Sequence, residues 1–494
     1  MLARKAWAQK DHRADILKLI AKSPCSAVLI ERGAAKDAQL MYKTYKGDIF
    51  MKMQYGFDDK VPAGKAVPWA LQYVFTIFTG SMTGSIMLAS GAGMNSADTA
   101  FLIQCGLFAC CITTLIQSLG IRIGKFQIGA RLPLVSAGSW TLITPMVLFA
   151  NDPNIGIPGA FGAACLGTLL LFLLGPIVID KLYKYFTPAV TGSVVLAVGM
   201  CLILNAWNDM VDYNPTGPDA MKMFLIGIAI AAICVIIDHF AKGIVQSLAV
   251  LIAMVAGYVF CSVTGMVDFS QVGSAAWVAV PRPLNFGMTV NLGAVITVFI
   301  IHIATIMENS GNTTGVVTAT DEGLPTKETL KASVRGDALG GVFSTLFNAL
   351  PMCVAAQNSG VEVMSGVASR FVTAIAGVIF GLMAIFPKFS QVLALIPNPV
   401  LGGILLVTFG NIIASGIKVI GFDENNKRNF TIIALAAAVG IGGNFAQAAG
   451  TLAFLPSTVV TLFTGISGTA ITALVLNIIL PGEKNGRGIE AEYN

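Results

Sequence analysis

Charge is scarce in this chain. Asp, Glu, Lys and Arg together make up 12% of its 494 residues, about half the share of an average soluble protein. The length alone would allow several soluble domains, but so few charges could not cover their surfaces. Histidine is scarcer still, with three in all, which excludes a His-rich metal centre. The nine cysteines show no metal-ligand spacing. Cys105, Cys110, Cys111, Cys165, Cys201, Cys234, Cys261 and Cys353 lie in or beside apolar stretches and read as small packing residues. No nucleotide fingerprint, phosphate loop or nucleophile–base pair is present, so an enzyme is not expected, and neither is a cofactor or a bound metal. A cleavable signal peptide is also missing: Met1 to Lys5 is basic, but residues up to 65 stay polar or amphipathic.

Apolar sequence is what the chain has in excess, with 55% hydrophobic residues and a mean hydropathy of +0.76. A bilayer core needs about 20 apolar residues per crossing helix. Fourteen such segments are expected between residues 66 and 480. Charge tests that count. With the N-terminus in the cytoplasm, 28 of the 31 Lys and Arg fall on the cytoplasmic side; Lys222, Arg282 and Lys388 are the exceptions. The positive-inside rule asks for such a bias, and one missed helix would scramble it from that point on. The expectation is an all-α polytopic membrane protein with fourteen transmembrane segments and both termini cytoplasmic, in a plasma (inner) membrane.

Seven segments followed by seven leave the second copy inverted, a hallmark of transporters, whose short or broken segments mark the binding site. The expected divisions are an N-terminal cytoplasmic extension (1–54), a first repeat (55–270), a second inverted repeat (271–481) and a cytoplasmic tail (482–494). Segments three and ten, at 133–150 and 353–368, are the short ones. They hold Val135-Ser136-Ala137-Gly138-Ser139-Trp140 and Val354-Ala355-Ala356-Gln357-Asn358-Ser359-Gly360. Irregular backbone survives at membrane depth only where protein or a wet cavity covers it. Two facing half-helices with free N–H groups between them are therefore expected near the midplane.

An acid inside a membrane helix is costly enough to presume a function. Two qualify, Glu308 in segment eight and Asp337 at the start of segment nine. Asp337 could instead be an interfacial residue paired with Arg335. Glu308 accepts two hydrogen bonds when ionised or donates one when protonated, which suits a planar heterocycle bearing N–H and C=O groups. Asn312 shares its helix face four residues on. Gln357 adds an amide that donates and accepts. Trp140 either offers a ring to a planar ligand or simply packs. His302, six residues before Glu308, points elsewhere and reads as a core histidine, while Arg370 is expected to reach for the cytoplasmic surface.

The run from Gln357 to Arg370, Gln-Asn-Ser-Gly-Val-Glu-Val-Met-Ser-Gly-Val-Ala-Ser-Arg, resembles the signature of the nucleobase–ascorbate transporter family, the xanthine/uracil permeases, with Ser365 replacing the usual Thr. Tyr55-Gly56 with Asp58-Asp59-Lys60, Leu71-Gln72-Tyr73, Arg131-Leu132-Pro133, Phe186-Thr187-Pro188-Ala189-Val190-Thr191-Gly192 and Val400-Leu401-Gly402-Gly403 resemble other stretches of that family in order and spacing. The resemblance covers roughly residues 55–481. It implies two inverted repeats split into a core (segments 1–4 and 8–11) and a gate (5–7 and 12–14), an elevator motion, a homodimer, and no nucleic-acid partner.

Carried over by position, Glu308 would bind the base. Gln357, with the backbone of Ala356, would read its other edge, and Trp140 and Tyr73 would stand at positions near the substrate. Asp337 would share proton coupling with Glu308, while Asn358, Gly360, Asn312 and Ser365 would shape the site. Three departures stand out: Tyr73 replaces a His, Asn312 an acid, and Trp140 a Phe. Gln at the first signature position goes with xanthine and urate in this family, and Glu with uracil. The expectation is a secondary active purine carrier coupled to protons, with sodium the other candidate ion. A pyrimidine carrier, or an anion exchanger or channel of the same architecture, are the alternatives.

Overall fold

The computed structural model describes residues 53–124, 126–242, 244–320, 325–421 and 426–481. The expected N-terminal extension, apart from Met53 and Gln54, and the expected tail lie outside these residues. Apolar runs of this length leave the backbone no partner but itself, and the described chain is accordingly almost all helix. Its first half holds α1 (Ala63–Gly91), α2 (Ser96–Leu119), the short α3 (Ile143–Asn151), α4 (Gly156–Leu182), α5 (Pro188–Met210), α6 (Ala220–Phe240) and α7 (Ala249–Val263). The second holds α8 (Leu292–Ala319), α9 (Lys327–Leu346), the short α10 (Asn358–Ser365), α11 (Arg370–Ala384), α12 (Asn398–Ile420), α13 (Lys427–Ala448) and α14 (Gly465–Ile479). Beyond α11 the chain bends by 85° into a short helix, Pro387–Ala394. Another, Ser457–Phe463, begins after Pro456 and precedes α14.

Among the described residues, eight helices are long and apolar enough to cross a membrane, or nine if the bent pair counts as one span. That is fewer than the fourteen crossings the hydropathy pattern predicts, for physical reasons. With nine and eight residues, α3 and α10 reach only about 13 Å at 1.5 Å per residue. The first turns of α9 carry Lys327, Glu328, Lys331 and Arg335. Each of α7 and α14 has fifteen residues.

Polar side chains fix where helices begin. Asn95, Asn291, Thr326 and Asn426 each accept a backbone N–H from the first turn of α2, α8, α9 and α13, a cap that stabilises a helix by about 1 kcal/mol. The helices then pack in two sets. In one, α1 and α2 lie on α11, and α4 and α2 lie on α9, with α8 against α4. In the other, α5 packs on α12, α6 on α12, and α14 on both α13 and α5. The α5–α12 contact needs glycine, because a Cβ on Gly199 would stand 2.7 Å from the Phe409 carbonyl oxygen and one on Gly416 2.5 Å from the Leu196 nitrogen. Apolar residues left exposed on α6 and α7, such as Val235, Phe240, Val259 and Val263, are ones a bilayer rather than water would cover.

The short segments differ from the expected pair of bare half-helices. Before α3 the chain forms a strand, β3 (Ser136–Gly138), and before α10 another, β4 (Met352–Val354); they pair antiparallel, with Ala137 opposite Cys353. A hairpin of β1 (Ile121–Ile123) and β2 (Phe126–Ile128) follows α2. The pairing occupies backbone N–H groups that the half-helix picture left free: Ser139 N–H donates to the Pro351 carbonyl and Ala355 N–H to that of Val135. Gly366, at φ 67°, closes α10 in the left-handed conformation. The segment from Gln54 to Asp59 is laced onto the α10–α11 junction. Gln54 N–H donates to the Gly366 carbonyl, Ala368 N–H to Tyr55 and Arg370 N–H to Phe57. The Tyr55-Gly56 and signature motifs thus lie side by side.

Candidate functional site

The long apolar run of α8 delivers three polar residues to one place. Glu308, 6% exposed, accepts a 2.8 Å hydrogen bond at Oε2 from the Thr141 hydroxyl. One turn on, the Asn312 amide donates to the Val354 carbonyl on β4 at 2.7 Å. Asn309, between them, turns to Asp337 instead, donating to Oδ2 at 2.6 Å.

Asp337 is buried, and Arg335 is not its partner; the Arg335 guanidinium lies over the Phe126 ring and donates to the Gln127 carbonyl. Four donors converge on the Asp337 carboxylate. Gln117 on α2 donates to Oδ1 at 2.7 Å and the Ser136 hydroxyl at 3.0 Å. Asn309 and the Val354 N–H, at 2.8 Å, take Oδ2. An ionised carboxylate offers about four lone-pair positions, so this set fits that form: a proton on Oδ2 would meet the Asn309 amide and the Val354 N–H, both donors. The acid ties α2 and β3 of the first half to α8 and β4 of the second. Asn358 adds a parallel tie. Its amide accepts from the Val135 N–H at 3.0 Å and donates to the Val135 carbonyl at 2.8 Å.

A cavity opens beside this clasp, enclosing about 490 Å³ of atom-free space including its opening to solvent. Glu308, Asn312, Gln357, Ala356 and Trp140 all line it. Four of the residues expected to touch a substrate therefore share one cavity, and Asn312, expected to shape the site, lines it as well. Gly80 of α1 sits between two of these groups: a Cβ there would lie 3.7 Å from Trp140 Cζ2 and 3.8 Å from Gln357 Nε2. Trp140 also packs edge-on against Phe409 of α12, with ring centroids 5.4 Å apart. The opposite wall is Val195 and Val198 of α5 and Ile412 of α12. The lining residues from α5 and α12 are all aliphatic, and the polar side chains come from α8 and the β4–α10 stretch.

Other expected residues lie elsewhere. Tyr73 is fully buried, two turns before Gly80 on α1, and does not line the cavity. Ser365 accepts the Val367 N–H at the end of α10, and Gly360 is exposed. His302 lies in the core with Nε2 3.0 Å from the Thr168 hydroxyl. Arg370 is 7% exposed and pairs with Asp58 at 2.6 Å rather than reaching free for a surface. Thr141, Gln117 and Asn309 escape a reading of the sequence, since nothing in their neighbourhood singles them out. Glu362 is a different omission. It is a third acid within an apolar segment, inside the signature itself, and it is fully buried.

Comparison with known proteins places this geometry. A profile described as Permease family matches residues 64–449. The uric acid permease PucK of Bacillus subtilis is 32% identical over 408 residues, covering 81% of this chain and 89% of the relative. The xanthine permease XanP of Escherichia coli is 28% identical over 468 residues, covering 91% of this chain and 98% of the relative. Among solved structures, the transmembrane domain of a cyanobacterium bicarbonate transporter, BicA, superposes with a TM-score of 0.53 at 14% identity, over 86% of this chain and 99% of that one. Murine Slc26a9, an anion transporter in the inward-facing state, does so with a TM-score of 0.57 at 11% identity, over 85% and 69%. These two likenesses concern the fold alone.

Proposed function

The chain belongs to the nucleobase–ascorbate transporter family, and from that premise we propose that it carries an oxidised purine, xanthine or uric acid, across the membrane in symport with a proton. The observation that carries this reading is the meeting of the Glu308 carboxyl, the Gln357 amide and the Trp140 ring on one cavity wall. A purine dione presents ring N–H groups on one edge and alternating C=O and N–H groups on another. Glu308 accepts from the first edge, while the Gln357 amide and the Ala356 backbone answer the second. The names of the uric acid and xanthine permeases among the relatives favour purines over pyrimidines.

The proton is assigned to Glu308. Thr141 donates to one of its oxygens, and Glu308 lines the cavity. An uncompensated charge inside the bilayer costs several kcal/mol, so the carboxyl crosses with a neutral base bound only when a proton neutralises it. Asp337, its acceptor positions all engaged, is assigned the role of fixing β3 and β4. A share in proton movement would require those donors to part in another conformation.

An elevator motion is supported by how the cavity is divided. Its hydrogen-bonding groups come from α8, from the stretch leading into α3 and from the β4–α10 segment; the facing wall is aliphatic. A base held by the first set can slide past the second without breaking a hydrogen bond. Inverted repeats are supported by matched contacts: α1 on α11 corresponds to α8 on α4, and α5 on α12 is its own counterpart. The test is uptake in proteoliposomes. Glu308→Gln should abolish accumulation of labelled xanthine under an imposed proton gradient. A variant that still concentrates the base with undiminished pH dependence refutes the assignment.

A further inference from the structure

Glu362 lies on α10, the same short helix that follows Gln357, but it does not line the cavity. It shares the helix face of Asn358 one turn earlier, and that face is turned to protein. Its side chain is wholly buried, and among the described residues neither carboxyl oxygen has a hydrogen-bond partner. The Tyr73 hydroxyl, also buried, is unpartnered as well. The helix of Glu362 packs directly against α1, the helix that carries Tyr73. Val361 and Tyr73 belong to one packed cluster with Ile77 and Val367.

Among the described residues of the elements packed most closely on α10, no other ionisable group answers Glu362. The elements packed on α10 are α1, α8 and the turn Ile244–Ser247. Besides Tyr73, α1 carries only Lys65, which is exposed. On α8, His302 is bonded to Thr168 and Glu308 to Thr141. The turn has no ionisable residue. Alongside, Tyr55 bridges Val367, while Asp58 and Arg370 pair with each other. A bare carboxylate in such surroundings would carry a desolvation cost of several kcal/mol with nothing to offset it. A neutral carboxylic acid would not, and the Tyr73 hydroxyl is a buried donor without a partner among the described residues.

We propose that Glu362 is a second proton-binding carboxyl of the carrier, protonated in the arrangement described and exchanging its proton as α1 and α10 shift during transport, with the Tyr73 hydroxyl as its donor when ionised. This rests on the reading of the chain as a proton-coupled carrier, and it adds a proton that Glu308 does not account for.

The experiment compares native protein with Glu362→Gln and Glu362→Met in proteoliposomes. The Met variant buries no polar atom, so it keeps the test open if the amide fails to fold. Exchange of labelled xanthine for unlabelled, with equal pH on both sides, should continue in both variants. Accumulation under a gradient of about one pH unit should fall about tenfold, the loss of one coupled proton per base. Unchanged accumulation and pH dependence in the variants overturn the proposal, and so does loss of exchange, which would make Glu362 part of the base site. Native protein that moves no base sinks the carrier reading instead. In that case infrared difference spectra of the purified native protein decide Glu362 alone: a protonated-carboxyl C=O band that titrates and is missing from Glu362→Met upholds it, and the absence of such a band overturns it.

Discussion

Replacing Asp337 with Asn separates a clasp from a proton carrier. The amide keeps one oxygen and puts an NH2 where the other oxygen stood. If the oxygen stays with Asn309 and the Val354 N–H, the NH2 confronts the Ser136 hydroxyl and Gln117 Nε2. The hydroxyl can rotate and accept. Gln117 cannot flip cheaply, because its Nε2 also donates to the Ser333 carbonyl and its Oε1 accepts the Ala130 N–H. One buried donor is left unsatisfied, at about 1–3 kcal/mol. The two surviving bonds drop from charge-assisted to neutral, at about 1 kcal/mol each. The sum is about 3–5 kcal/mol against the joined β3–β4 pair, or roughly a hundredfold or more in the population of its opened form. Cys353, buried on β4 where it borders the cavity, reports that opening as an increase over its native labelling rate. Its rate of modification by a maleimide, read by mass spectrometry, should rise by that order in the variant, with a lower unfolding temperature in detergent. If labelling and melting stay native while the pH dependence of uptake disappears, the clasp argument is wrong and Asp337 carries a proton.

Three further changes test the cavity. Thr141→Val removes the one protein donor on Glu308 at nearly constant volume; loss of a charge-assisted bond worth about 1.5–3 kcal/mol should raise the KM for base about ten- to hundredfold, measured in initial-rate uptake. Gln357→Glu replaces a group that donates and accepts with one that only accepts, so uptake should become sensitive to competition by uracil and lose that by xanthine. Gly80→Val places methyl groups between Trp140 and Gln357, where a single Cβ already makes ordinary contact; base binding by calorimetry should vanish while the unfolding temperature stays near native.

Sequence reading went furthest where physics is local. Apolar runs mark helices because each run must bury or solvate itself in lipid, and a lone acid such as Glu308 stands out after eighteen residues with no acid or base other than His302. Strands of three residues leave no periodicity, so β3 and β4 look like polar interruptions and are legible only as breaks. The clasp on Asp337 is invisible for another reason: Gln117, Ser136, Asn309 and Val354 are far apart in sequence, and nothing local demands that they converge. Tyr73 lies on the same α1 face as Gly80 but about 10 Å along the axis, a distance that motif position does not convey. Glu362 was legible, as an acid in an apolar segment, yet it hides among the signature residues.

The ties around the cavity also explain why its two walls differ. Asp337 bonds to α2, β3, α8 and β4, Asn358 to the residue before β3, and Asn312 to β4. Every side chain proposed to hydrogen-bond the base is therefore fixed, directly or through one neighbour, to the same set of elements. The aliphatic wall of Val195, Val198 and Ile412 belongs to α5 and α12, which are held to each other by glycine-permitted close contact. A hydrogen bond from that wall would have to break each time the two bodies moved, at about 1 kcal/mol or more. Aliphatic side chains make contacts that are weak one by one and easily exchanged. Polar side chains on one set of helices and aliphatic ones on the other are thus the division that the proposed sliding of a bound base requires.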